Sequence, residues 1–155
     1  MRPEVARRIY AAYVAIFDME LKIGLRRAML SWALAENPDH WPVVGITHAA
    51  LERFAEHDFR YVSRMGVNRS HLIDRKVWQS AMLEKLLSFE EWVDLCNRSD
   101  RTVLATSSEN MRDEVNDFIA IPRGKGLFRS VGYKWRHTAE ERKVLSSLHQ
   151  QLTDS

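Results

Sequence analysis

Apolar residues near the N-terminus recur at intervals of three and four positions, which is the period of an α-helix. Pro3 suits the first turn of such a helix, because proline there loses no hydrogen bond. The pattern predicts one helix over residues 3–36, ended by the polar run 37–39. One apolar stripe is Tyr10, Val14, Phe17, Leu21, Leu25 and Ala28, and a second is Ile9, Tyr13, Ile16 and Ile23.

The length of this predicted helix bears on the assembly of the protein. Without interruption it would extend about 50 Å at 1.5 Å per residue, which is long for a chain of 155 residues. Its two stripes also cover more of the circumference than one packing face needs. Either the helix bends near Gly24, or part of it packs on another subunit. The pattern favours a homodimer formed through the N-terminal helix.

Further helices are predicted downstream. Thr47 is expected to begin the second helix, and Gly66 interrupts the helical pattern. A third helical region covers about residues 70–87. Ser88 begins another helix, and Thr138 begins the last one, at about residues 138–152. Each of these two residues is followed three positions later by a glutamate, which is the spacing of a capping box.

Short β-branched and apolar runs in the C-terminal third predict strands over residues 101–106, 118–121 and 130–135. The polar stretch 107–117 is predicted to be a helix or a loop. We therefore expect a single domain over all 155 residues, with an α+β fold that is mainly helical. It should contain four or five helices and a small antiparallel sheet in the C-terminal third, with a basic strand or loop segment at 118–137.

Charge is distributed unevenly along the chain, although the net charge is only +2. Residues 1–117 carry 16 basic and 18 acidic side chains, whereas residues 118–155 carry 7 basic and 3 acidic ones. The basic character is therefore local to the C-terminal part. A composition with 45% hydrophobic and 28% charged residues is typical of a folded protein and argues against intrinsic disorder.

Cys96 is the one cysteine of the chain, which excludes a disulfide framework and a cysteine metal site. A reducing compartment follows, and we expect a cytoplasmic protein. Arg7 and Arg8 precede an apolar run as in a signal peptide, but Asp18 and Glu20 follow it without an obvious cleavage site. We interpret this stretch as a helix. No stretch approaches the roughly 20 apolar residues of a membrane span, so we expect no membrane association.

The segment 58–77, DFRYVSRMGVNRSHLIDRKV, resembles a helix-turn-helix. In this motif Gly66 would form the turn, because glycine readily adopts a left-handed conformation. The resemblance implies a recognition helix whose polar residues Asn68, Arg69 and His71 face base edges. The alternative is a pair of packed helices joined at Gly66, with solvated polar side chains.

Residues 122–137, PRGKGLFRSVGYKWRH, contain five cations, three glycines, three aromatic residues and no acid. We call this stretch the basic segment. Cations attract phosphates, aromatic rings can stack on bases, and glycine lets a backbone approach closely. The alternative is a hairpin that buries the aromatic rings. We predict phosphate contacts by Arg123, Lys125, Arg129, Lys134 and Arg136, and stacking by Phe128, Tyr133 and Trp135.

Two motifs permit enzymatic interpretations. The spacing of Arg64 and His71 resembles the motif of HEPN-type helical ribonucleases, which implies activation of a 2′-hydroxyl and stabilisation of charge on the phosphate. His57 and Asp58 form the dipeptide of a metal-dependent phosphohydrolase family. That family also needs further ligands on separate helices, so a capping or surface role is favoured for this pair.

Together these patterns predict a non-enzymatic protein that binds DNA or RNA, or acts as a regulator, through residues 58–77 and the basic segment. We expect no cofactor and no metal. One alternative is an oligomeric interaction or adaptor protein whose basic segment meets an acidic partner. A weaker alternative is the HEPN-like ribonuclease with Arg64 and His71.

Overall fold

A computed structural model describes residues 1–62, 64–111, 117–121, 128 and 138–154. Within these residues the fold is α+β, with seven helices and a four-stranded mixed sheet. The helices are α1 (Pro3–Phe17), α2 (Ile23–Ala35), α3 (His48–Ala55), α4 (Arg75–Glu84), α5 (Phe89–Ser99), α6 (Ser107–Met111) and α7 (Ala139–Thr153). The strands are β1 (Val43–Ile46), β2 (Val67–His71), β3 (Thr102–Thr106) and β4 (Ile119–Ala120).

The chain forms two compact units, each made of two segments. Unit 1 comprises Met1–His40 and Ile73–Arg101, and it contains α1, α2, α4 and α5. Unit 2 comprises Trp41–Leu72 and Thr102–Ser155, and it contains the described strands with α3, α6 and α7. A single domain over the whole chain remains a prediction. Among the described residues, no helix has the length and apolar character needed to cross a membrane.

The prediction of one long N-terminal helix is wrong. Helix α1 ends at Phe17 and α2 begins at Ile23, and the two helices pack on each other in unit 1. The Arg26 side chain donates a hydrogen bond to the Phe17 carbonyl at 3.2 Å and so helps to close the end of α1. The break lies in a mostly polar linker, before Gly24. Because the chain folds back, the length of the helix no longer requires a second subunit.

Tyr13 lies at the centre of unit 1. Its ring is fully buried and stacks on Trp92 with ring centroids 6.2 Å apart. Its hydroxyl donates to the Met82 carbonyl at 2.9 Å and accepts the N–H of Leu87 at 3.0 Å. Burial raises the pKa of the Tyr13 hydroxyl. Cys96 is also buried in this core, away from solvent. One side chain of α1 thus joins α4, α5 and the loop between them.

The sheet of unit 2 has the strand order β2-β3-β1-β4. Strands β1 and β3 are parallel, while β2 is antiparallel to β3 and β4 is antiparallel to β1. The predicted strands at 101–106 and 118–121 are confirmed as β3 and β4. The sheet is mixed, however, and takes β1 and β2 from outside the C-terminal third. The predicted strand at 130–135 lies outside the described residues.

Strand β2 replaces the start of a predicted helix. It pairs along its whole length with β3, from Val67 opposite Thr106 to His71 opposite Thr102. Helix α4 begins only at Arg75, and the side chain of its N-cap Asp74 accepts the N–H of Lys76 at 2.7 Å. The helical region predicted at 70–87 is therefore wrong in its first part, because cross-strand pairing holds these residues extended.

The two faces of the sheet bury different residues. Side chains alternate along a strand, so Val67, Arg69 and His71 share one face with alternate residues of β3. On this face Leu104 and Ile46 pack with α3 and α7, forming the larger core of unit 2. A smaller cluster covers the other face and consists of Val44, Val103 and Ala105, with Leu72 and Phe118 against it.

Candidate nucleic-acid interface

The predicted base-reading residues lie on strand β2 and not on a helix. The helix-turn-helix interpretation is therefore wrong, although Gly66 does adopt the left-handed conformation, with φ of 72°. Asn68 is exposed on one face of β2, and its side-chain amide donates to the Ser107 hydroxyl at 2.8 Å. Arg69 and His71 lie on the opposite face, because side chains alternate along a strand. The three residues do not form one reading surface.

The Arg69 side chain forms hydrogen bonds within unit 2. Its Nη1 donates to the Trp41 carbonyl at 3.3 Å, and its Nη2 donates to the Phe128 carbonyl. Burial lowers the pKa of the Arg69 guanidinium to about 10, and the negative charge of Glu141 partly offsets this effect. Arg69 is thus still a cation at neutral pH. Its donors serve backbone carbonyls of the same unit, so it is a poor candidate for reading bases.

Both carbonyls bound by Arg69 belong to residues with unusual backbone conformations. Trp41 has φ of 54° and Phe128 has φ of 57°, in the left-handed region that residues other than glycine seldom adopt. The Trp41 carbonyl also accepts the Thr102 hydroxyl at 3.1 Å. Such conformations persist only where surrounding contacts hold them in place. The hydrogen bonds from Arg69 are among these contacts at both residues.

Phe128 is held at both of its backbone groups. Its N–H donates to Oε1 of Glu141, and its carbonyl accepts from Arg69. The other oxygen of Glu141, Oε2, accepts the N–H of Thr138 at 2.9 Å as part of a capping box. We call Arg69, Phe128 and Glu141 the Phe128 clamp. It combines a half-buried cation and a buried carboxylate with the backbone N–H and carbonyl of Phe128.

The clamp connects the basic segment to the core of unit 2. The Phe128 ring is 4% exposed and packs in the larger core, next to residues of the sheet and of α7. The prediction that Phe128 stacks on bases is therefore wrong, because its ring has no free face. The other predicted residues of the segment lie outside the described part of the chain: Arg123, Lys125, Arg129, Tyr133, Lys134, Trp135 and Arg136.

The residues proposed for ribonuclease activity do not have the helical setting of that family. Arg64 precedes β2 and His71 ends it, so most of a five-residue strand separates them. The extended backbone of β2 thus replaces the helical spacing that the motif requires. His71 instead contacts the edge of Trp41, with ring centroids 5.1 Å apart. Among the described residues, no cluster of histidine, cysteine and acidic side chains could hold a metal ion.

A polar cluster at the carboxyl ends of β1 and β3 was not predicted. Oε2 of Glu109 accepts the Thr47 hydroxyl at 2.9 Å, the Thr106 N–H at 2.8 Å and the Thr106 hydroxyl at 2.7 Å. Burial alone would raise the pKa of the Glu109 carboxyl, but these hydrogen bonds outweigh it and lower the pKa. Thr106 and Glu109 have the spacing of a capping box, so the sequence does indicate a helix start at this point. The cluster ties the start of α3 to the start of α6.

The Glu109 carboxylate predicts a dependence of stability on pH. Because its pKa is lowered in the folded state, the unfolded chain binds a proton first as the pH falls below the ordinary value near 4.5. The stabilisation is therefore present above that value and is lost as the pH falls through the folded pKa. We expect Glu109→Gln to be less stable than the parent at pH 7 and to lose less stability between about pH 5 and 3.

Denaturant unfolding across this pH range measures the effect. The matched control is Glu84→Gln, which changes an exposed carboxylate at the end of α4. Equal pH dependence in Glu109→Gln and the parent would contradict the proposed ionised, hydrogen-bonded state of Glu109.

No known family model matches the chain, and comparisons with curated proteins and with solved structures found no similar protein.

Proposed function

We propose that the protein binds nucleic acid without catalysing a reaction, and that the basic segment makes the contacts. The Phe128 clamp is the observation that carries this proposal. Each of the five cations of the segment lies within eight residues of Phe128, which is buried and bonded at both backbone groups. A segment held near its middle loses less conformational freedom on binding than a free tail, so it binds more tightly for the same contacts.

The residue types of the segment fit a phosphate backbone better than a specific base sequence. Cations without neighbouring acids give affinity that depends on salt, and aromatic rings stack on any base. The proposed roles therefore favour single-stranded RNA or DNA, whose bases are accessible. The proposed phosphate contacts are Arg123, Lys125, Arg129, Lys134 and Arg136, and the proposed stacking residues are Tyr133 and Trp135.

Arg69 has a different role in this proposal from the one predicted from the sequence. It is a positioning residue, since its guanidinium holds the backbone of Phe128 and Trp41. Asn68 has no assigned base contact, because its amide is bonded to Ser107. The proposed interface therefore consists of the basic segment alone, supported from within unit 2 by Arg69 and Glu141.

Fluorescence anisotropy with labelled duplex DNA, single-stranded DNA and RNA tests the proposal at several salt concentrations. We expect binding that weakens steeply with salt. The double variant Arg129→Ala, Lys134→Ala should bind more weakly, and its slope of log K against log salt should fall by about 1.4 for a single strand. This value corresponds to two lost phosphate contacts.

The matched control removes one arginine and one lysine from the surface of unit 1. Arg7→Ala, Lys85→Ala has the same change in charge, at exposed positions outside the proposed interface. It should keep the affinity and the salt slope of the parent. No binding to any probe at low salt would contradict the proposal, and so would equal losses in the two double variants.

A separate prediction concerns the positioning role of Arg69. In Arg69→Ala the cations of the segment remain, but their attachment through Phe128 is weakened. We expect the affinity for single-stranded RNA to fall by about three- to tenfold, the usual range for losing preorganisation of a few residues, while the salt slope changes by less than about 0.7. Anisotropy against salt measures both quantities.

Arg142→Ala is the control for Arg69→Ala. Arg142 is a half-buried arginine of unit 2 that also donates to a backbone carbonyl, that of Asp58 at 3.3 Å. Circular dichroism of each variant checks that the fold is retained, and Arg69→Lys provides a milder change. A fall of about 0.7 in the salt slope of Arg69→Ala, the value of one phosphate contact, would show that Arg69 binds phosphate directly. That result would contradict the positioning role.

A further inference from the structure

The outward face of α2 is apolar although it is exposed. Trp32 is 79% exposed and Leu25 is 51% exposed, while Leu30 and Leu34 fill the buried face of the same helix. Ala28 is exposed on the same outward side. Large apolar side chains that are this exposed on one face of the same helix are typical of an interaction surface.

The spacing of this outward face is that of a helix–helix seam. Leu25, Ala28, Trp32 and Ala35 follow one another at intervals of three, four and three residues, which are the core positions of a heptad pattern. Large and small residues alternate along the seam. If a second copy of α2 lies antiparallel, Leu25 faces Ala35 and Ala28 faces Trp32 in every layer. A parallel arrangement would place Trp32 against Trp32 and alanine against alanine.

The charges at the ends of α2 also fit an antiparallel partner. The helix has Lys22 as its N-cap and Glu36 as its C-cap, each at the end where the dipole of its own helix is unfavourable. In the antiparallel arrangement each Lys22 comes close to Glu36 of the second copy. Both charges then lie at the favourable end of the partner helix. Glu36 also has an exposed ion pair with Arg8, at 3.6 Å, within the same chain.

The cations in the middle of α2 do not obstruct this face. Arg26 donates to the Phe17 carbonyl at 3.2 Å, and Arg27 donates to the Ser80 hydroxyl at 3.4 Å. Both side chains are therefore directed towards their own unit. Between Lys22 and Glu36, the seam positions themselves carry no charge.

We propose that the outward face of α2 is a homodimer interface in which the second copy packs antiparallel, with Lys22 and Glu36 paired between the copies. A four-layer seam along a helix of about 20 Å is smaller than a standard interface of roughly 800 Å² per partner. The dissociation constant is accordingly expected in the micromolar range. This proposal is independent of nucleic-acid binding, because it concerns only unit 1.

Sedimentation equilibrium of the full chain from about 1 to 300 µM, a range that brackets a micromolar dissociation constant, measures the association. We expect a monomer–dimer equilibrium for the parent. Leu25→Lys should weaken it by roughly 30-fold or more, because it places a charged side chain in both outer layers of the apolar seam. The matched control is Leu152→Lys, the same change at a leucine of α7 that is 39% exposed. It should dimerise like the parent.

Trp32→Ala is a second variant for the same test, and its highly exposed position leaves the fold of unit 1 intact. It should also weaken the dimer by roughly 30-fold. A parent protein that remains monomeric over the whole range would overturn the proposal. So would a dimer that is unaffected by both Leu25→Lys and Trp32→Ala.

Charge exchange tests the antiparallel orientation. Lys22→Glu places an acid at the N-terminus of α2, which suits that helix itself, yet it sets two glutamates against each other between the copies. Dimerisation should weaken by about three- to tenfold while the melting temperature of the monomer does not fall. Lys22→Glu combined with Glu36→Lys should recover most of the parent affinity. A double variant that dimerises more weakly than Lys22→Glu alone would exclude this orientation.

Discussion

A half-buried cation, Arg69, connects parts of unit 2 that are far apart in sequence. The guanidinium lies on the inner face of an edge strand, where an unsatisfied charge would be costly. It is bonded to the carbonyls of Trp41, just before β1, and of Phe128, which lies between β4 and α7. Glu141 of α7 supplies the nearby negative charge. The attachment of the basic segment to the core depends on this arrangement.

The clamp also explains why Asn68, Arg69 and His71 cannot act as one reading surface. Side chains alternate along β2, so Asn68 lies on the opposite face from Arg69 and His71. Arg69 lies on the core-facing side, where it donates hydrogen bonds to backbone carbonyls of unit 2. The proposed nucleic-acid contacts are therefore limited to the segment that the clamp holds. Self-association, in contrast, is assigned to α2, so the two proposals concern different units and different residues.

Some parts of the fold could be predicted from the sequence because their causes are local. The caps at Ser88 and Thr138 and the N-cap Thr47 bond to backbone groups within three residues, and all three are present. Strand β3 is a continuous run of β-branched and apolar residues. The capping box at Thr106 and Glu109 has the same spacing, but the helix that follows has only five residues, too few to show an apolar helical period.

Other parts depend on tertiary pairing and could not be predicted in this way. Residues 67–71 alternate too briefly to distinguish strand from helix, and pairing with β3 decides between them. Strand β1 has only four residues, and it is defined by neighbours from the other end of the chain. The clamp brings Arg69, Phe128 and Glu141 together across more than 70 residues, so no local spacing indicates it. The break before α2 likewise depends on α1 and α2 packing together.

Hydrogen exchange of the Phe128 amide, resolved by NMR in the free protein, measures whether the Phe128 clamp is formed in solution. The amide donates to a buried carboxylate beside a buried ring, so we expect protection similar to that of the amides of β3. Glu141→Ala should abolish this protection while the β3 amides remain protected. Exchange of the Phe128 amide at the rate of an unstructured peptide in the parent protein would show that the clamp is not formed, and Phe128 would then not attach the basic segment to unit 2.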